Sequence, residues 1–293
     1  MTAASDVLIL APLRGVTIRA FRRTFAAEIA EAGFDEAVTP FIAAAPGFDP
    51  LGDRELRGLG AEGEGGLRVT PQFIGKDPAA LGAALGRIRE AGFVTADLNC
   101  GCPFQMVRNK GRGAGLLRNP ALLEKMLAAG CEAMGPGNFS VKTRLGVERP
   151  DELLALMPVF NAHPLRFLTV HARTARQMYE GECDWSALEA VRRVAKVPLV
   201  VNGDLSAAGE PLPGTFGRMV GRGFVRALGA RADACELLTR YAAASREELA
   251  GDAPALGRLK ELLAYWKELP RWRRRWAVAK LARSLDEFLL AVR

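Results

Sequence analysis

The chain has 293 residues, 49% of them hydrophobic, and 40 Lys and Arg against 33 Asp and Glu give a formal net charge of +7. That balance excludes a disordered or fibrous chain and suffices for one large folded domain plus a small one. Five cysteines without repeated spacing argue against a disulfide framework, and no run of about 18 apolar residues is present to span a membrane.

The opening MTAASDVLIL lacks a basic stretch followed by a long apolar run, so no signal peptide is expected, and a reducing cytoplasmic setting fits the unpaired cysteines. Val7–Pro12 reads as a first strand. Residues 17–33 read as a helix, with Thr17 as N-cap and Gly33 as stop. A second strand is expected over 34–42, then a long loop over 44–66 rich in Gly, Pro and charge. Residues 67–75 form a third strand, 78–92 an amphipathic helix, and 93–99 a fourth strand. Asn119-Pro120 supplies a cap and a proline at the first helical position, opening a helix to about Met134. Strands five to eight fall at 139–144, 165–171, 197–202 and 218–221, with helices over 151–160 and 186–196 between them.

Eight alternating units point to a (β/α)₈ TIM barrel rather than an open doubly wound sheet. One unit is irregular. SAAGEPLPGTFG (206–217) has two prolines and three glycines, so the helix between strands seven and eight is expected to be shortened or absent. Beyond about Phe224 no strand pattern returns. We expect a barrel over 1–224 and a C-terminal all-helical domain over 225–293.

In a barrel, chemistry gathers at the C-terminal ends of the strands. This sequence puts Pro12 and Leu13 after strand one and Gln72 in strand three. Asn99, Cys100 and Cys102 end strand four. Lys142 and Arg144 lie in strand five, and His171 and Arg173 end strand six. Asn202, Gly203 and Asp204 follow strand seven, and Gly221-Arg222-Gly223 follows strand eight. Polar groups within apolar strands are costly without partners, so their shared position predicts one polar pocket. The glycines after strands seven and eight occupy the usual phosphate station of barrels, where Arg222 adds a charge-assisted contact. Cys102 begins a basic, glycine-rich loop with Arg108, Lys110 and Arg112. No second Cys/His pair with ligand spacing follows Cys100 and Cys102, so no metal site is expected.

The segments APLRGVT (11–17), QFIG (72–75), DLNCGCP (97–103), GAGLL (113–117), VKTRLG (141–146), VHART (170–174), VVNGD (200–204) and MVGRG (219–223) resemble the tRNA-dihydrouridine synthases, flavin-dependent barrel enzymes. The motifs run in that family's order over residues 11–223. The resemblance implies FMN at the barrel mouth, NADPH as electron donor, and a helical domain that completes a tRNA-binding face. It assigns Cys102, immediately before Pro103, as the catalytic acid. Pro12 and Leu13 would lie beneath the flavin ring, although the family often has methionine where Leu13 stands. Gln72, Lys142 and His171 would contact the flavin, and Asn202, Gly203, Asp204, Gly221 and Arg222 its ribityl phosphate. Asn99 would line the substrate pocket, with Arg144 and Arg173 nearby. Arg108, Lys110, Arg112, Arg273, Arg274 and Arg275 would hold tRNA phosphates without reading sequence. No separate dinucleotide fingerprint is present, consistent with NADPH visiting the flavin transiently. A monomer acting on tRNA is expected.

Two other functions fit the residues. A flavin enzyme acting on a free pyrimidine needs no basic helical tail. A catalytically inactive RNA-binding relative would not need Cys102, Lys142 and His171. RWRRRW (271–276) reads equally as an RNA contact or as a solvated helix face with its tryptophans turned inward.

Overall fold

The structure is a computed structural model that describes residues 6–60 and 63–293. Residues 1–5, part of the stretch read for a leader, and residues 61 and 62 of the long loop lie outside the described residues. In chain order the first elements are β1 (Val7–Leu10), α1 (Arg19–Thr24), α2 (Ala26–Glu31), β2 (Glu36–Val38), β3 (Ile42–Ala43), β4 (Arg68–Thr70) and β5 (Gln72–Ile74). Next come α3 (Pro78–Glu90), β6 (Ala96–Cys100), α4 (Gln105–Arg108), α5 (Pro120–Met134), β7 (Phe139–Gly146) and α6 (Glu152–Asn161). β8 (Leu168–Thr174), α7 (Trp185–Val194), β9 (Leu199–Asn202), β10 (Gly217–Val220) and α8 (Arg222–Ala230) complete the alternation. Four helices end the chain: α9 (Ala234–Glu248), α10 (Asp252–Trp266), α11 (Pro270–Ala279) and α12 (Leu285–Val292).

All the strand pairs of the sheet are parallel, and they close into a ring. β1 pairs with both β2 and β10, β2 with β4, and β3 with β5. β5 then leads through β6, β7, β8 and β9 back to β10. The ten segments are eight barrel strands, two of them interrupted. Pro40 lies between β2 and β3, and Pro71 between β4 and β5. A proline has no N–H to give to the ladder, so each strand breaks there and resumes. The chain is therefore a TIM barrel followed by a C-terminal helical region.

The barrel interior is small and mixed. Ile9, Ala11, Val38, Phe167, Val200 and Met219 form its apolar centre. Below them Glu36, almost fully buried, accepts two hydrogen bonds from Arg166 at 2.7 and 2.8 Å and one from Thr70 at 2.6 Å. A buried carboxylate is tolerable only with such a full set of donors. Outside the strands, α3, α5, α6 and α7 cover one flank through Leu85, Met126, Phe160 and Val191. Burying each such side chain contributes roughly 1.5–3 kcal/mol. On the other flank α1, α2 and α8 share a single apolar cluster with the C-terminal helices, with Phe21, Phe224, Tyr241, Trp266 and Trp272 among its members. The two tryptophans fix this joint. Trp266 Nε1 donates to Val225 O and Trp272 Nε1 to Gly229 O, each at 2.6 Å, so α8 is held by its own backbone carbonyls.

Capping residues set several helix starts. Asp77 accepts from the N–H groups of Ala79 and Ala80 ahead of Pro78, and Asn119 accepts from Leu122 ahead of Pro120. Thr17 does something else. Its hydroxyl donates to Ala11 O and accepts from Leu13 N–H, so it closes the turn after β1 rather than capping α1. The helix expected over 17–33 is two helices, with Phe25 between them. Between β9 and β10, residues 203–216 contain no helix. There the outer wall carries an apolar cleft lined by Trp185, Leu188, Leu199, Val201, Leu212 and Pro213.

Candidate active site

At the C-terminal ends of the strands lies a cleft of about 730 Å³, counting its open mouth. Its walls include Pro12 and Leu13 after β1, Asn99 and Cys102 from β6, Lys142 and Arg144 from β7 and His171 from β8. Asn202 and Gly203 at the end of β9, with Gly221 and Arg222 after β10, complete the ring. Among the described residues no carboxylate lines it, while Arg14, Lys142, Arg144 and Arg222 do. Such a cleft attracts anions.

The side chains are held by hydrogen bonds whose direction is determined. The carbonyl of Met219 can only accept, so Asn202 turns its Nδ2 toward it at 2.7 Å. The Oδ1 of Asn202 is then left to accept from Lys142 Nζ at 3.0 Å. Arg144, almost fully buried, donates to Gly101 O, Thr174 O and Met178 O at 2.7–2.9 Å. Burial foremost, with Arg144 adding repulsion, brings the Lys142 ammonium down to about 8. Burial and the surrounding cations hold His171 neutral, well below the ordinary imidazole value. Its Nε2 lies 3.4 Å from Arg173 Nη1, an approach that leaves the ring proton on Nδ1.

Cys102 and Cys100 part company here. Cys100 points into the core and is fully buried. Cys102 faces the cleft, and burial raises its thiol above the usual value, so the proton is retained at neutral pH. The loop behind it closes tightly. Gly113 has φ +57°, and a Cβ built there would lie 2.7 Å from Cys102 Cβ. The N–H of Ala114 donates to Cys102 O at 3.2 Å. The glycines of the GAGLL segment thus let this loop seat against the cysteine.

On the side of the ring opposite β6, α8 starts at the cleft. Gly221 precedes it and no side chain caps its N-terminus. Its first N–H groups, with Gly203 and Arg222 beside them, suit a phosphate group. The residues present therefore fit a phosphate-bearing cofactor.

Other residues singled out from the sequence lie around the cleft rather than on its wall. Gln72 is fully buried beneath it, bonded to Asp97 and Asn99. Asp204 is exposed and takes Arg173 and Arg222 as ion-pair partners. Beyond Cys102, Arg108 ends α4, and Lys110 and Arg112 sit on the loop that follows it. Arg108 shares Glu148 with Arg118 and Arg176, at 3.7, 2.9 and 3.9 Å. Arg273 and Arg274 are exposed on α11, and Arg275 donates to the C-terminal Arg293 O while lying over Trp272. Trp272 itself is fully buried.

The cleft has lining residues that sequence reasoning passed over. Tyr179 lies between two guanidiniums, with Arg144 5.4 Å and Arg222 5.0 Å from its ring centre. Phe41 and Phe104 also line the cleft, with Arg14 over the Phe41 ring. These aromatics come from loops, where neither alternation nor helical spacing marks them. Among the described residues, no group of His, Cys, Asp and Glu is placed to hold a metal ion, and no helix is long and apolar enough to cross a membrane.

Comparison with known proteins agrees with this architecture. Residues 9–226 match the family model described as "Dihydrouridine synthase (Dus)". The chain is similar to tRNA-dihydrouridine synthase B of Vibrio cholerae, with 31% identity over 68% of this chain and 60% of that protein. It is also similar to the tRNA-dihydrouridine(16) synthase of Pseudomonas putida, with 32% identity over 74% of this chain and 70% of that protein. The match thus spans about 60% of the length of the Vibrio cholerae relative. Among solved structures, morphinone reductase shares the fold, with a TM-score of 0.53, 13% identity and coverage of 75% of this chain and 83% of that one. The old yellow enzyme from Trypanosoma cruzi does so as well, with a TM-score of 0.53, 10% identity and coverage of 75% and 85%. The match to the family model over most of the barrel shows that the chain belongs to the dihydrouridine synthase family.

Proposed function

We propose that the protein reduces specific uridines in tRNA to 5,6-dihydrouridine, with FMN at the barrel mouth and NADPH as the electron source. The observation that carries this reading is the position of Cys102. A protonated thiol stands on one wall of a cationic cleft, and the uncapped start of α8, suited to a phosphate, stands across the ring from it. Family membership supports the same reaction.

When bound, a reduced flavin supplies hydride delivery to C6 of uracil. The chain's own residues supply the rest. Cys102 holds the proton that C5 takes up, and its raised pKa keeps that proton in place until then. The Lys142 ammonium stabilises negative charge that builds on the cofactor. Neutral His171 adds a hydrogen-bonding edge. Gly203, Gly221 and the uncapped start of α8 hold the phosphate, with Arg222 fixed by Asp204. Pro12 and Leu13 offer an apolar floor, and Gln72 supports Asn99 from below. Asn99 and Arg144 face the substrate side, and Arg173 fixes Asp204.

A uridine must leave its stack to enter so enclosed a cleft, so unpaired or easily extruded positions are the targets. Arg108, Lys110 and Arg112 lie in the segment that follows Cys102, and Arg273, Arg274 and Arg275 lie on the helical region. Both groups hold tRNA phosphates. We place the reaction in the cytoplasm, with the protein as a monomer.

Two measurements test this reading. The purified protein should carry, or take up, a yellow flavin chromophore. Dihydrouridine mapping in tRNA from a strain lacking the gene should show loss at defined positions. Unchanged dihydrouridine at every position would sink the proposal.

A further inference from the structure

A chain of hydrogen bonds runs from the barrel interior to the turn that carries Cys102. Ser140 Oγ donates to Asp97 Oδ1 at 2.7 Å, and Gln72 Nε2 donates to Asp97 Oδ2 at 2.8 Å. Gln72 Oε1 accepts from Asn99 Nδ2 at 2.8 Å. Asn99 Oδ1 in turn accepts from the N–H groups of Gly101 and Cys102, at 3.1 and 2.9 Å. Ser140, Asp97 and Gln72 are fully buried, and Asn99 is nearly so.

An amide side chain can turn over, exchanging its oxygen and its nitrogen with almost no change of shape. Shape alone therefore does not fix which way Gln72 and Asn99 point. The two ends of the chain do: an ionised Asp97 only accepts, and the N–H groups of the cysteine turn only donate. With Asp97 below it, Gln72 has to present its NH₂ downward and its carbonyl to Asn99. Asn99 then has to present its own NH₂ to Gln72. That leaves the Asn99 oxygen for the two backbone N–H groups of the cysteine turn. A flipped Asn99 would set its NH₂ against those N–H groups, donor against donor. The same turn is held from another side, where Arg144 Nε donates to Gly101 O at 2.9 Å.

We infer that Asp97 is a positioning residue for Cys102: acting through Gln72 and Asn99, it anchors from the buried end the hydrogen bonds that hold the turn bearing the thiol. Its effect on turnover rests on the reading of Cys102 as the proton donor. Its effect on the placement of the thiol does not.

Transposing the charge along the chain tests this. Asp97→Asn lets an amide present either group to Gln72, so the direction loses its anchor at the buried end. Gln72→Glu sets two carboxylates against each other. Combined, the two substitutions restore one direction. The new amide at position 97 accepts from Ser140 and donates to the new carboxylate at 72, which still accepts from Asn99.

The readout is the rate at which iodoacetamide alkylates Cys102 in the full-length protein as purified, followed on its peptide by mass spectrometry from pH 7.5 to pH 10, above the value of about 6 to which burial raises Asp97. Each single variant should change that rate by about fivefold or more, while the double variant returns to within about threefold of the parent, the pattern of coupled neighbours. Asp97→Asn should also slow single-turnover oxidation of the reduced enzyme by tRNA about tenfold at unchanged flavin content. A parental alkylation rate in Asp97→Asn overturns the inference. So does a double variant no better than the worse single one, the result expected if each change only damages packing. If Asp97→Asn does not fold, the double variant decides alone: a parental alkylation profile supports the role and an altered one overturns it. A parent protein that reduces no uridine would overturn the proposed function, and the alkylation series would still decide the role of Asp97.

Discussion

Lys142 donates to the side-chain oxygen of Asn202 at 3.0 Å, joining residues 60 apart in sequence across the floor of the cleft. The pair gives the site its fixed cation, and that cation titrates near neutrality. Lys142 is held down to about 8, so its positive charge is present below that pH and lost as pH rises through it. FMN affinity should therefore fall about tenfold between pH 7 and pH 9.5, as expected for loss of one charge-assisted contact. In Lys142→Met it should be weaker at pH 7 and nearly flat with pH. Flavin fluorescence quenching measures both, and a parental pH slope in Lys142→Met would contradict the assignment.

The two cysteines of the NCGCP segment should separate cleanly. Cys102→Ala keeps its flavin and loses roughly 100-fold or more in single-turnover tRNA reduction, the range for removing a general acid. Cys100→Ala affects packing instead, because Cys100 lies wholly in the core. It should cost on the order of 1 kcal/mol of stability and leave the rate near parental. A dead Cys100→Ala enzyme beside an active Cys102→Ala one would reverse the choice.

Glu55 should make stability depend on pH. It is buried beside Arg22, whose Nη1 lies 3.2 Å away, but Arg22 Nε also serves Glu64 at 3.0 Å. Two carboxylates share one guanidinium, and burial outweighs Arg22 to raise Glu55 to about 7. The folded value exceeds the unfolded one of 4.5. The contribution of Glu55 is thus fully present below the unfolded value and lost as pH rises through 7. Glu55→Gln carries no such charge. Its stability relative to the parent should rise by on the order of 2 kcal/mol between pH 5 and pH 8. Thermal melts of both proteins at the two pH values measure this, and parallel curves would refute it.

The joint between barrel and C-terminal helices should tolerate no side chain at Gly229. A Cβ there would lie 2.5 Å from the Trp266 ring, and that ring is pinned by its bond to Val225 O. Gly229→Ala should destabilise by about 2–3 kcal/mol through overpacking. Gly82→Ala is the control. That position lies within α3 with open space around it, so a gain of up to about 1 kcal/mol is expected. Chemical denaturation distinguishes the two.

Neutralising Arg273, Arg274 and Arg275 together should weaken tRNA binding and lower its salt dependence by up to about three counterions, with flavin content unchanged. Equal affinity and equal salt slope would leave α11 as a solvated helix face only.

The sequence by itself determined the barrel, because alternating apolar runs and helical patterns recur eight times and prolines and glycines punctuate them. It also determined the chemical inventory at the strand ends, since Asn99, Cys102, Lys142, His171 and Asn202 stand where apolar strands stop. Local signals sufficed for the caps at Asp77 and Asn119, because a cap acts within three residues. They failed at Thr17, where the hydroxyl finds partners across a turn, and at Phe25, where one helical pattern breaks into two helices. Only the tertiary structure decided which way each side chain faces. It separated Cys102 from Cys100, because Cys100 is the last residue of β6 and packs into the core, while Cys102 lies past the strand's end in the turn that opens on the cleft. It brought Tyr179, Phe41 and Phe104 from distant loops to one cleft, and it placed Gln72 beneath Asn99 rather than on the wall. It also turned Asp97, a strand residue with no signal of its own, into the acceptor that anchors the hydrogen bonds under Cys102 from the buried end. The DLNCGCP segment points to the thiol, but the hydrogen bonds that hold it come from strands whose closeness only the closed barrel creates.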